Sequence, residues 1–286
     1  RNPGDPFGGA WGTSLTVGTP TATPFALATG DLDRDGKPDL VAGCDTGETF
    51  EIFLGRNTSA TPFAGGWTRV DVYAATAPVL ALVLADLDHD GFLDIVAALG
   101  TAAASELVAL KNPASKTNAD LSQAWTVASL GALDTDPTAL AAADFNGNGW
   151  LDLVTAETDK SLLLWQNPGS VSTDPFGTSW SAGTGFALSD TGAEPGDTPR
   201  SLAVSDVNLD GRPDLLVGTA TAGAYELTGY VCPASPFGTR WGKVDIGTAA
   251  DTVYSLAVDD FDRDGDPDVA AGIGTAETYE VKAWSN

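Results

Sequence analysis

Carboxylates at alternate positions around a glycine are how a short loop surrounds a hard cation, and the stretch Asp31-Leu-Asp33-Arg-Asp35-Gly36-Lys37-Pro-Asp39 has that form. Calcium takes about six to eight oxygens at roughly 2.3–2.6 Å. Side chains at positions 1, 3, 5 and 9 of the loop, with the main-chain carbonyl at position 7, supply such a set, and glycine at position 6 permits the sharp turn. The pattern returns as Asp86-Leu-Asp88-His-Asp90-Gly91-Phe92-Leu-Asp94, Asp144-Phe-Asn146-Gly-Asn148-Gly149-Trp150-Leu-Asp152, Asp206-Val-Asn208-Leu-Asp210-Gly211-Arg212-Pro-Asp214 and Asp260-Phe-Asp262-Arg-Asp264-Gly265-Asp266-Pro-Asp268. An EF-hand would place Glu at position 12 and continue as a helix. Here position 12 is Ala42, Ala97, Thr155, Val217 and Ala271, and the residues after each loop read as strand.

The elements that must position these loops repeat with them. Successive first aspartates are 55, 58, 62 and 54 residues apart, about the length of one propeller blade. A short apolar stretch precedes each loop, in four cases opened by Pro24, Pro78, Pro137 or Pro199, and another follows it (Leu40-Val41, Ile95-Val96, Leu153-Val154, Leu215-Leu216-Val217, Val269-Ala270). The loop therefore joins two buried strands, A and B. Strand C is predicted at 50–54, 106–110, 162–165, 225–230 and 279–284. A tryptophan then opens strand D at Trp11, Trp67, Trp125, Trp180 and Trp241, and packs between blades. A Pro-Phe pair precedes it at Pro6-Phe7, Pro62-Phe63, Pro175-Phe176 and Pro236-Phe237. Because the chain opens with a lone strand D at 11–17 and ends after strand C, its N-terminal strand is expected to complete the last blade. The expected fold is all-β: residues 1–286 as a single five-bladed β-propeller of four-stranded antiparallel blades. Five blades cut from a longer ring is the alternative.

Composition agrees: 19% of residues are charged, and Gly and Pro are abundant, which favours many short strands joined by turns. The formal charge of −25 speaks against nucleic acid or an anionic membrane as partner. Seventeen of the 39 Asp and Glu side chains occupy positions 1, 3, 5 and 9 of the loops, so five divalent ions would bring the charge to −15. No apolar run of about 18 residues is present to insert in a membrane. A chain without Met that starts at Arg1 fits a processed secreted protein or an excised fragment of one, and an extracellular location is expected. Asn57-Thr58-Ser59 spells an N-glycosylation acceptor for a eukaryotic host.

The loops with their flanking strands resemble the FG-GAP/VCBS repeats of integrin α-subunit propellers, fungal integrin-like lectins and many bacterial secreted proteins. The resemblance implies up to five Ca2+ ions, one in each A–B loop. The ligands carried over are Asp31, Asp33, Asp35 and Asp39; Asp86, Asp88, Asp90 and Asp94; Asp144, Asn146, Asn148 and Asp152; Asp206, Asn208, Asp210 and Asp214; and Asp260, Asp262, Asp264 and Asp268. Carbonyls come from Lys37, Phe92, Trp150, Arg212 and Asp266. The third loop has only two formal charges and is expected to bind most weakly. The ion's first role is to neutralise clustered carboxylates and pin a turn.

Residues for other chemistry are few. The sole histidine, His89, sits at a variable loop position and reads as a solvated residue. Cys44 and Cys232 lie in blades that are not neighbours, so a disulfide between them is not expected. Glu51, Glu106, Glu226 and Glu280 recur on strand C, with Ser161 in the third blade; they are either a ring of acceptors for a polyhydroxylated ligand or partners of neighbouring backbone. Trp150, out of register on a loop, offers a face for a sugar or packs beside the third loop. Arg200 borders the longest D–A connection, on the face opposite the ion loops. The resulting expectation is a non-enzymatic, secreted, calcium-stabilised module that binds carbohydrate or a cell-surface protein. A polysaccharide-active enzyme or a passive scaffold within a larger surface protein are the alternatives.

Overall fold

The computed structural model describes residues 14–100, 105–114, 120–169, 174–177, 180–182, 186–187, 198–220, 226–249, 251–274 and 279–286. Apart from one 3-10 turn at Pro62–Ala64, every regular element is a strand, and the strands form five antiparallel sheets in chain order. Blade 1 is β1 (Pro24–Gly30), β2 (Asp39–Cys44), β3 (Ile52–Asn57) and β4 (Trp67–Tyr73). Blade 2 is β5 (Val79–Ala85), β6 (Asp94–Leu99), β7 (Glu106–Lys111) and β8 (Thr126–Ala132). Blade 3 is β9 (Pro137–Ala143), β10 (Asp152–Glu157) and β11 (Ser161–Gln166), edged by the short β12 (Ser181–Ala182) and β13 (Phe186–Ala187). Blade 4 is β14 (Pro199–Ser205), β15 (Asp214–Thr219), β16 (Leu227–Val231) and β17 (Gly242–Gly247). Blade 5 is β18 (Val253–Asp259), β19 (Asp268–Gly274) and β20 (Tyr279–Trp284). The chain is a five-bladed β-propeller.

The second strand of each blade is covered on both faces, and its composition follows. β6, β10 and β15 are buried from end to end and consist almost wholly of Ala, Val, Ile, Leu and Thr behind one aspartate. Small residues let neighbouring blades close up: a Cβ at Gly43 would lie 2.4 Å from Val79 Cγ1, and one at Gly218 equally near Val253 Cγ1. The fourth strand of blade 3 departs from the single strand expected after Trp180. Gly183 and Gly185 stand between its two short pieces, where other blades carry side chains that hold a ladder together.

The inner strands pack in sequence, β1 on β5, β5 on β9, β9 on β14 and β14 on β18. Among the described residues, β18 and β1 share no packing of that extent. Leu27 is 63% exposed, whereas Leu82, its counterpart against the preceding blade, is 9% exposed. Trp11 and the start of the expected N-terminal strand lie outside the described residues, and residues 14–17 form no strand.

Candidate functional site

Each loop between the first and second strands is wound by the same internal hydrogen bonds. The position-1 carboxylate accepts from the position-6 glycine N–H: Asp31 from Gly36 at 2.9 Å, Asp86 from Gly91 at 3.0 Å, Asp144 from Gly149 and Asp206 from Gly211 at 2.7 Å, Asp260 from Gly265 at 3.0 Å. Position 3 accepts from the N–H of position 5, and position 5 from that of position 7, in all five copies. These bonds require a left-handed backbone at position 6, where φ lies between 84° and 102° and only glycine is at ease. Position 4 is left-handed too: Arg34, His89, Leu209 and Arg263 have φ of 56–65°, and Gly147 has 71°.

The position-9 aspartate begins the second strand and ties three segments together. Asp39 Oδ2 accepts from Leu32 N–H (3.1 Å) and Oδ1 from Asn57 N–H (2.8 Å) at the end of β3. Asp94, Asp214 and Asp268 repeat both bonds, and Asp152 the second. All five side chains are buried. Desolvation pushes Asp39 up to about 6, Asp152 to about 7 and Asp94 to about 8, and raises Asp214; Asp268 is held down by the Asn286 N–H.

A divalent cation fits this donor set. Asp31, Asp33 and Asp39 bring ligand oxygens within 4.8 Å of one another, as do Asp86, Asp88 and Asp90, and Asp260, Asp262 and Asp268. Asp86 Oδ1 is buried without a hydrogen-bond partner, an acceptor that the chain's own donors leave unused. Lone pairs remain on oxygens already engaged by N–H groups, so the winding bonds and an ion are compatible. When bound, the ion would supply positive charge at the centre of four oxygen-bearing side chains and lock the turn.

A scan against family models matches the FG-GAP-like repeat at residues 31–97 and 144–217, which span loops 1, 2, 3 and 4 with their strands. This is an FG-GAP-repeat β-propeller. Among solved structures, BBS1N in its crystal structure with ARL6DN, soaked with lead, aligns at a TM-score of 0.51 and 12% identity. The match covers 88% of this chain and 63% of the length of that one, and at such identity it speaks for the fold alone. Comparison with curated proteins finds no match.

Within the FG-GAP propeller the five loops differ in what faces them. Arg56, at the end of β3, places Nη2 2.5 Å from Asp33 Oδ2, and Lys111, at the end of β7, pairs with Asp88 and reaches Asp90 at 3.8 Å. Gln166, Val231 and Ser285 hold the same strand position in the other blades. Loops 3 and 4 correspondingly carry Asn146 and Asn208 at position 3, whereas loop 5 keeps Asp262 without a strand cation opposite. Adjacent loops also touch: the Arg34 guanidinium lies over the Phe92 ring (5.5 Å), and His89 stacks on Trp150 at 4.2 Å with planes 3° apart. One face of Trp150 is thus occupied by His89, while its ring edge lies over Gly169.

The recurrent glutamates are not brought to one surface. Glu51 and Glu226 are buried, the latter accepting from Ala249 N–H at 2.9 Å; Glu106 is half-buried, and Glu280 is exposed and pairs with Lys282. Arg200 is exposed on β14, and residues 188–197 beside it lie outside the described residues. Both cysteines are free and buried. The Asn57 sequon is not presented: the side chain is buried and donates to Pro38 O at 3.3 Å.

Sequence reasoning missed a blade-to-blade latch. Asn112 Nδ2 donates to Leu32 O of the preceding blade (2.9 Å), Asn167 to Leu87 O (3.1 Å) and Asn286 to Val207 O (2.7 Å). Cys232 takes this place in blade 4, its Sγ 3.5 Å from Phe145 O. The signal was present as an Asn 18 residues after the position-9 aspartate at Asn57, Asn112 and Asn286, shortened to 15 at Asn167.

Proposed function

We propose that this FG-GAP propeller is a secreted binding module whose five A–B loops hold calcium, and that its ligand is a carbohydrate. The observation that carries the reading is the self-braced acidic loop, built five times with the same hydrogen bonds whether positions 3 and 5 are Asp or Asn. Such loops place oxygen donors and negative charge together at one end of every blade, and a divalent cation relieves that charge. Millimolar extracellular calcium suits open, surface loops of this kind. The resemblance to integrin-like lectins supports carbohydrate as the ligand class.

Binding is favoured over catalysis by the state of the reactive groups. His89 is stacked within an ion loop, and desolvation raises both thiols, Cys232 to about 12, so neither supplies a thiolate near neutrality. A glycan array probed with calcium and with EDTA tests the proposal. Selective, calcium-dependent retention of a glycan class supports it; no retention of any glycan in calcium, or turnover of a retained polymer, contradicts it.

A further inference from the structure

The tryptophans that open the fourth strands share one seat. Trp125, Trp180 and Trp241 each join the apolar cluster that their blade forms with the preceding blade. The Nε1–H donates to a carbonyl just upstream: Trp67 to Pro62 (3.0 Å), Trp180 to Pro175 (3.0 Å), Trp241 to Pro236 (3.2 Å), and Trp125 to Leu121 (3.1 Å). Trp241 shows the seat most fully, meeting the Phe145 ring edge-on at 5.5 Å and clustering with Leu215, Tyr230 and Cys232.

The equivalent place between blades 4 and 5 is a cavity of about 350 Å³. Its lining includes Val207, Val269, Trp284 and Asn286, the counterparts one blade on of Phe145, Leu215, Tyr230 and Cys232. Blade 5, alone among the described sheets, has no strand on the outer edge of its third strand, β20.

A second, separate contact points to the same missing strand. In blade 4 the last residue of the outer strand, Gly247, lies under Trp284 of blade 5, and in blade 2 Gly131 lies under Trp165 of blade 3. In blade 1 the residue matching Trp284 is Gly55, and a Cβ there would meet Val17 Cγ1 at 2.4 Å. Val17 follows Trp11 by six residues, as Gly131 follows Trp125 and Gly247 follows Trp241. The large and small partners have exchanged sides, and the contact remains.

We propose that residues 6–17 are the fourth strand of blade 5, paired to β20 with Trp11 in the cavity between blades 4 and 5. Pro6 stands five residues before Trp11, the spacing of the three Pro–Trp pairs whose hydrogen bond is formed. Because Val17 rests on blade 1, the paired strand clasps blade 5 to blade 1. Leu27 would then be covered as Leu82 is, and Asn57 would come opposite the Phe261 carbonyl to complete the latch.

The register of the other outer strands, with Trp67 facing Asn57 and Val70 facing Leu54, puts residue 14 opposite residue 283. The double substitution Ser14→Cys, Ala283→Cys should therefore oxidise to a disulfide within one chain, mapped by mass spectrometry of non-reduced peptides. No bond in the folded chain, or a bond only between two chains, overturns the proposal. Hydrogen exchange gives an independent reading: Trp11→Ala should speed exchange at residues 281–285 by about tenfold and Trp11→Phe by less. Equal exchange in Trp11→Ala and the parent chain overturns it as well.

Discussion

The position-9 aspartates each hold two backbone N–H groups while lying in the most desolvated part of their loop. Replacing Asp94 with Ala leaves the Leu87 and Asn112 N–H groups buried without acceptors, a loss of about 2–4 kcal/mol read from chemical denaturation. Their titration gives a direction that a surface carboxylate would not. In the calcium-free chain Asp39, Asp152 and Asp94 have folded-state values of about 6, 7 and 8, above the unfolded value of 3.8. Their contribution to stability is fully present below the unfolded value and is lost as pH rises through the folded ones. Thermal melts in chelator should therefore fall from about pH 5 to pH 8, whereas calcium, which needs the charged form, should give its largest gain at the alkaline end. A chelated Tm that rises over that interval contradicts the assignment. Leu209 offers a change of opposite sign: a γ-branched residue at φ 56° is strained, and Leu209→Asn should stabilise by about 0.5–1 kcal/mol.

At the scale of the loop and its strands, charge alone ranks the sites. Loop 5 combines four aspartates with no cation at the end of β20, loops 1 and 2 share their position-3 carboxylate with Arg56 and Lys111, and loop 3 has only two carboxylates. Calcium titration followed loop by loop should fill the fifth site first and the third last; a third site that outlasts the others under chelator contradicts that order. The loops and their flanking strands were legible in the sequence because Asp-x-Asp-x-Asp-Gly is a local code, each residue bonding another within five positions. The facing cations were not, since Arg56 lies 23 residues from Asp33 and reaches it only through the pairing of β2 with β3. The same holds for the glutamates, whose recurrence is visible in sequence but whose partners, such as Ala249 for Glu226, are set by the third-to-fourth strand register.

For the whole molecule, the repeat length foretold five blades, and the fold has them. The junctions rest on less visible features: small residues such as Gly43 and Gly218, and one Asn or Cys donating to the loop of the blade before. The divided edge of blade 3 was hidden because its tryptophan matches the others while the glycines after it do not. With many short strands sharing a ring of loops, calcium acts on the molecule as a whole. A site at calcium near 100 times its dissociation constant adds about 2.7 kcal/mol, and several such sites rival the roughly 5–15 kcal/mol that stabilises a domain. Scanning calorimetry of the chain in millimolar calcium and in EDTA is the direct measurement. The account predicts a Tm lower by more than about 10 °C in EDTA, restored when calcium is returned; an unchanged Tm would show that the five loops do not hold the propeller through a bound ion.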